Sequence, residues 1–330
     1  MLKPPTQTPC RPPFRAEQHH MKRIQYHQYG GPETMQLEEF KLEEPGNGQV
    51  AVQVKFAAIN PIDWKLRNGL MKIVTGRRFP RAMGMDFSGT VISVGRGVTR
   101  FKPGDPVFGM ARLKQCGAFG NAVITNESFL VRKPDNVSFE DAACLATPGV
   151  MAWIGLVDQA GLQPGQRVFV SGCAGAVGEA TVQVARMLGA SVSGSCSAGD
   201  IERVRALGVE HVYDYRETDF AKLGERFHVV YDAAATLPTA VGMSLLREGG
   251  MLLDLNPMPT KFIRALLSRR FKVLLCSANA DNLEQVAHAA SEGRLRLPIG
   301  KRVHLNDAIR LIGDVEAGKK IGGKGLIAME

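Results

Sequence analysis

The sequence has no C-x-x-C pair. Its six cysteines, Cys10, Cys116, Cys144, Cys173, Cys196 and Cys276, are scattered over 330 residues. That spacing excludes a zinc ribbon or a disulfide framework and reads as free thiols in a reducing, cytoplasmic compartment. No apolar run approaches the ~20 residues of a membrane-spanning helix, so no membrane insertion is expected. The seven histidines do not cluster, and two of them, His19 and His20, lie in a proline-rich start. No nucleic-acid-binding motif accompanies the net charge of +9. The excess is read as suiting an anionic cofactor rather than a nucleic-acid partner. There is no internal repeat.

What is present is ordinary globular material, with 45% hydrophobic and 22% charged residues. The length predicts two domains. Residues 1–20 stand apart. They hold Pro4, Pro5, Pro9, Pro12 and Pro13 and almost nothing apolar. This rules out an amphipathic helix and reads as a disordered extension. The folded part is expected to start at Met21.

One stretch organises the rest, Arg167 to Val192. An apolar run, Val168–Val170, leads into Gly172, Gly175 and Gly178, and then into a helical pattern carrying Val177, Val184 and Leu188. Strand, glycine turn and helix in this order predict a dinucleotide-binding turn. Glycines let the backbone approach a pyrophosphate, and free N–H groups at the helix start face the anion. Small residues also serve close helix–strand packing, and the glycines alone do not separate the two uses.

Upstream, the texture is one of short strands and turns. Arg23–Tyr29, Leu37–Leu42, Val50–Ala58, Ala118–Thr125 and Phe129–Val131 read as strands, and Ile62–Asn68 as a short helix. This predicts a barrel. Ser138 is expected to cap a helix, with Asp141 three residues on. From there strands and helices alternate, which predicts a parallel sheet with helices on both faces. Lys261–Lys272 is basic and amphipathic. Phe262, Leu266 and Phe271 are expected to pack while Lys261, Arg264, Arg269 and Arg270 face outward. Asn282–Glu292 should be a helix with Leu283, Val286, Ala287 and Ala290 inward.

From Met21 onward the chain resembles the zinc-independent quinone oxidoreductase type of medium-chain dehydrogenase/reductase. The likeness rests on the G-G-P-E turn at Gly30–Glu33, the N-P-x-D segment at Asn60–Asp63 and the Gly84–Asp86 segment with the glycine-punctuated run to Gly109. The glycine turn, the phrase Ala206–Tyr215 and the terminal Gly322–Met329 carry it too. It implies an α/β fold, with a GroES-like β-barrel catalytic domain at 21–145 and 285–330 and a Rossmann-type doubly wound parallel sheet at 146–284. It also implies NADPH and a homodimer.

The same resemblance locates the chemistry. Zinc-dependent relatives carry a histidine where Met85 stands and a cysteine near Asp63, so no zinc site is expected. Hydride transfer without a Lewis acid suits a quinone or an α,β-unsaturated carbonyl. Asn60 is the candidate donor to a developing oxyanion, with a plain turn role before Pro61 as the other reading. Asp63 is a helix cap or the anchor of a site network. Trp64 is read as barrel packing. Gly172, Gly175, Ala176, Val177 and Gly178 are expected to hold the pyrophosphate, and Asn256 to border the nicotinamide. At the end of the second parallel strand no acidic residue stands at Ser195–Ser197. Ser195 and Ser197 therefore read as donors to a 2′-phosphate, with Tyr215 against it. A basic residue expected just after them is missing, because Gly199 and Asp200 stand there. Among enzymes, reduction of other carbonyls or of enoyl thioesters is the nearest alternative. From another class comes an NADPH-binding regulatory or RNA-binding protein without turnover.

Overall fold

The computed structural model describes residues 21–276 and 280–329. The extension expected at 1–20 lies outside the described residues. The first part of the fold is short-stranded. β1 (Lys22–Tyr26) pairs antiparallel with β2 (Met35–Glu39) across the Gly-Gly-Pro turn. β3 (Gln49–Ala58) is the long central strand, with Val50, Ala51, Val52, Val54, Ala57 and Ala58 buried. α1 (Pro61–Arg67) starts on Pro61, a position where a missing N–H does no harm. Then follow α2 (Lys72–Thr75), β4 (Arg81–Ala82), β5 (Asp86–Val94), β6 (Pro106–Met110), β7 (Ala122–Asn126) and β8 (Leu130–Arg132).

Two helices make the join. α3 (Phe139–Ala143) is capped as expected, the Ser138 hydroxyl oxygen accepting the Asp141 N–H at 3.0 Å. α4 (Ala146–Trp153) is buried along most of its length, packed against both its neighbours.

The alternating part then runs through β9 (Arg167–Ser171), α5 (Ala176–Met187), β10 (Ser191–Cys196), α6 (Ile201–Ala206), β11 (His211–Asp214) and β12 (Phe227–Asp232). It continues with α7 (Thr239–Ser244), β13 (Leu246–Asp254), α8 (Pro259–Leu267) and β14 (Phe271–Val273). All six strands are parallel, in the order β11-β10-β9-β12-β13-β14. The order reverses between β9 and β12, which opens a crevice at their carboxyl ends.

α9 (Ala280–Ser291) buries Leu283, Val286, Ala287 and Ala290 as the periodicity predicts. β15 (Ile299–His304), α10 (Ala308–Glu316) and β16 (Lys324–Ala328) return to the first part. The barrel sheet runs β15-β16-β3-β5-β6-β8, with β7 also on β3. One core cluster passes from Ala58, Phe108 and Met110 in that sheet through α4 to Val168 and Val170 in the parallel one. The mixed α/β architecture expected from the sequence is therefore present.

Three local expectations are corrected. The strand expected at Ala118–Thr125 begins only at Ala122, because the backbone of Ala118 and Phe119 bonds to Gly84, Met83 and Ile24 and not to β3. The strand expected at Leu37–Leu42 is β2, which ends at Glu39 opposite Lys22, where its partner β1 starts. In α8, Leu266 does not pack within the chain and Phe262 does so only in part. They are 87% and 37% exposed, and only Phe271, at the start of β14, is buried. Lys261, expected outward, instead turns in to pair with Asp254 at 2.5 Å.

Candidate functional site

The glycine turn closes the carboxyl end of β9. Gly172 takes φ 78°, and a Cβ there would lie 2.7 Å from the Ala234 Cβ. Gly178 serves close packing, since a Cβ would sit 2.1 Å from the Gly172 carbonyl oxygen. Gly175 differs from both. It is the N-cap of α5, with no side-chain cap, and a Cβ there would meet nothing closer than 3.5 Å. The first N–H groups of α5, those of Ala176 and Val177 foremost, have no partner within the helix. A bare, roomy helix start at the end of a central parallel strand fits a pyrophosphate. Backbone conformation or packing thus requires glycine at Gly172 and Gly178, and neither does so at Gly175. The helix begins at Ala176, directly after Gly175.

At the end of β10, Ser195 supports this turn through its carbonyl, which accepts the Gly172 and Cys173 N–H groups at 3.0 Å each. Ser197 lies just beyond the strand. Its hydroxyl donates to Asp200 Oδ2 at 2.5 Å and accepts from Lys320 Nζ at 2.9 Å. Lys320 also reaches Asp200 at 3.3 Å. Arg203, the nearest base in sequence, is tied to Glu179, to Asp200 and to the Ala174 carbonyl. Tyr215 is half exposed beside this strand end, with the Arg216 guanidinium 4.8 Å above its ring.

On the far side of the crevice, Asn256 Nδ2 donates to the Ala235 carbonyl at 3.2 Å, and its N–H donates to Asp254 Oδ1. Ala235 itself sits at φ 60°. Asp232 accepts the Leu237 N–H, and burial together with Asp254 pushes its carboxyl up to about 6.

A buried polar cluster stands where the barrel meets α4. Asn60 and Asp63 come from the start of α1, Asp86 from the start of β5, Thr147 from α4 and Lys324 from β16. Lys324 Nζ, only 5% exposed as a residue, donates to the Ile59 carbonyl at 2.8 Å and to Asn60 Oδ1 at 2.6 Å. Asn60 Nδ2 makes a 3.4 Å contact with the Ala58 carbonyl, and the Asn60 side chain also hydrogen-bonds to Asp86. The Asn60 N–H donates to Asp63 Oδ2 at 2.7 Å. Asp86 accepts both the hydroxyl and the N–H of Thr147, at 2.5 and 3.0 Å. Desolvation, and then the like charge of Asp86, push the Asp63 carboxyl up to about 8. Burial raises Asp86 too, against the opposing pull of Lys324 and Thr147. Beside them, Met85, Cys116 and Leu66 form an apolar patch that Ile62, Met71 and Leu113 extend. Trp64 packs against the barrel core, as expected.

Asn60 and Asp63 thus stand together, and the glycine turn stands with Ser195 and Ser197. Lys320, Lys324 and Thr147 were not singled out from sequence. Lys324 lies inside the terminal segment that carries the resemblance, and a lysine amid Gly-Gly and Gly-Leu-Ile-Ala was the available signal for a buried cation. Among the described residues, no three His, Cys, Asp or Glu side chains converge as a metal site.

Residues 46–135 match the alcohol dehydrogenase GroES-like domain family, and residues 207–324 match the zinc-binding dehydrogenase family. A chloroplast envelope quinone oxidoreductase homolog of Arabidopsis thaliana is 30% identical over 304 residues, covering 87% of this chain and 92% of that protein. An NADPH-dependent alkenal/one oxidoreductase of the same plant is 33% identical over 72% of this chain and 62% of its own length. The solved structure of the quinone oxidoreductase from Coxiella burnetii is similar with a TM-score of 0.84 at 29% identity, covering 94% of this chain and 99% of that one.

Proposed function

Because the chain belongs to the medium-chain dehydrogenase/reductase superfamily, as a quinone-oxidoreductase-like oxidoreductase, we propose that it passes a hydride from NADPH to a quinone or an α,β-unsaturated carbonyl. The observation that carries this reading is the bare start of α5 above Gly175, which fits a dinucleotide pyrophosphate. NADPH, when bound, supplies the hydride. The N–H groups of Ala176 and Val177 hold the pyrophosphate. Ser197 is the donor toward the adenosine ribose, and Asn256 borders the nicotinamide.

The barrel cluster supports the other half of the reading. Oδ1 of Asn60 accepts from Lys324, which fixes the amide orientation and leaves Nδ2 as its donor side, the group read as donor to a developing oxyanion. Asp63 keeps a proton on its carboxyl at neutral pH. The apolar patch of Leu66, Met85, Met71 and Leu113 suits an uncharged acceptor.

The reading is zinc-independent because of the donors present. Met85 offers a thioether 3.7 Å from the Cys116 sulfur. Burial, and next Asp63, push the Cys116 thiol up to about 12, so it stays protonated. One thioether and one cysteine do not fit zinc, whose sites take three or four thiolate, imidazole or carboxylate ligands. No step is routed through a metal.

A homodimer belongs to the same reading. Met258, Phe262, Ile263, Leu266 and Leu267 make one exposed apolar face on α8, immediately before β14, the edge strand of the parallel sheet. A second copy of the chain would cover that face. Among the described residues no helix is long and apolar enough to cross a membrane. Buried thiols left unbridged at Cys144, Cys173 and Cys196 support a reducing, cytoplasmic location.

The test is NADPH oxidation with a panel of benzoquinones, naphthoquinones and linear enones. Turnover of at least one class is expected. Tight NADPH binding with no turnover of any quinone, enone or aldehyde would replace this reading with that of a nucleotide-binding regulatory protein.

A further inference from the structure

The strand end at Ser197 lacks a base of its own. Gly199 and Asp200 follow it, and Arg203 is held by Glu179, Asp200 and the Ala174 carbonyl. The cation that reaches the site comes from elsewhere in the chain. Lys320 lies between α10 and β16, in the segment that completes the barrel sheet, and crosses to Ser197 Oγ at 2.9 Å. Beside this contact there is room, since a Cβ on Gly199 would meet nothing within 4 Å. We propose that Lys320 is the residue that selects the adenosine 2′-phosphate of NADPH over the free hydroxyl of NADH, and that it does so from the barrel side. This rests on the reading that a nicotinamide dinucleotide binds at the glycine turn.

The argument is one of charge at a single point. A carboxylate near the end of the second strand favours a ribose hydroxyl and repels a phosphate. Asp200 would act in that way if it stood alone. Here its Oδ2 already accepts from the Ser197 hydroxyl and lies 3.3 Å from Lys320 Nζ. An ammonium has three donors, and Lys320 uses two on these groups. Its side chain is 70% exposed, so it can turn toward an incoming phosphate and keep its hold on Ser197. The phosphate then gains a charge-assisted donor and the serine hydroxyl, and Asp200 keeps Arg203 as its partner.

The two nucleotides therefore differ in what they connect. NADPH ties the Lys320 loop to the end of β10, whereas NADH leaves that loop tied only by the protein's own contacts. Phosphate recognition is shared between two sheets that meet through α4.

Four titrations test this, with NADPH and NADH added separately to wild type and to Lys320→Ala and followed by nucleotide fluorescence. The alanine variant is expected to weaken NADPH about tenfold, the scale of one partly exposed charge-assisted bond. NADH affinity should stay the same. Lys320→Arg should keep the NADPH preference, and Asp200→Asn should increase it. Calorimetry with adenosine 2′,5′-bisphosphate should lose the same factor in Lys320→Ala, which separates phosphate recognition from anything at the nicotinamide. Hydrogen exchange across residues 317–323 should slow with NADPH and not with NADH. If both nucleotides bind wild type and the NADPH-to-NADH ratio is unchanged in Lys320→Ala, the assignment of Lys320 is wrong and the cofactor reading stands. If wild type binds neither nucleotide, both fall together.

Discussion

At Asp63 a carboxyl group sits where water does not reach. The residue is 2% exposed, and one of its oxygens, Oδ1, has no hydrogen-bond partner. Its folded-state value of about 8 lies above the ordinary 3.8. Between those two values the native protein holds a proton that the unfolded chain has released. Stability supplied by this group is therefore full in acid and falls as pH rises through that window. Asp63→Asn keeps an acceptor for the Asn60 N–H and removes the titration. Its thermal midpoint should match wild type in acid, exceed it by a few degrees above pH 8, and vary less with pH between; a steeper pH dependence would refute the buried-proton account. Asn60 and Asp63 were legible in the sequence because the N-P-x-D spacing puts both at one helix start. Lys324 was not. Its contact with Asn60 joins residues 264 apart, and no periodicity encodes a meeting across that distance.

Within the turn between β9 and α5, three glycines look alike in sequence and do different work. Gly178 touches backbone, and the 2.1 Å approach to the Gly172 carbonyl leaves no room for a methyl group. Gly178→Ala should therefore cost about 3 kcal/mol of stability or more. Gly175 has an ordinary φ of −86° and open space beside it. Gly175→Asp should fold with a wild-type melting temperature and lose nucleotide binding, because its carboxylate takes the place of the pyrophosphate. The pair separates packing from binding when melting and NADPH titration are measured side by side, and equal loss of stability in both variants would contradict the division. Elements with clear periodicity, such as α9 and β3, were read from the sequence with small errors at their ends. α8 was not, because an apolar stripe on a helix shows that something covers it and not whether the cover is the same chain.

Among the described residues, the molecule exposes a large apolar face on α8, next to the edge at β14. Replacing both Leu266 and Leu267 with Asp should turn the proposed homodimer into a monomer in light scattering and leave the fold intact, since both side chains are more than four-fifths exposed. An unchanged mass would refute this face as the contact of that proposed dimer. The overall plan was legible because the order of short strands followed by alternating strands and helices admits few topologies. The meeting of the two sheets was not, because it depends on α4 and on single polar contacts such as Thr147 to Asp86. One feature of that plan also bears on biosynthesis. β16 lies between β15 and β3 in the barrel sheet, so β3 is translated long before its neighbour. On the ribosome the whole parallel-sheet segment emerges while the Phe56–Ala58 end of β3, beyond the stretch that β7 pairs, still offers unpaired backbone. The later unit is contiguous, whereas the earlier one must wait with part of an edge open, exposed to wrong partners. The vulnerable interval in making this protein therefore belongs to its first-made strands, and a chaperone that shields nascent chains should improve yield most by covering β3.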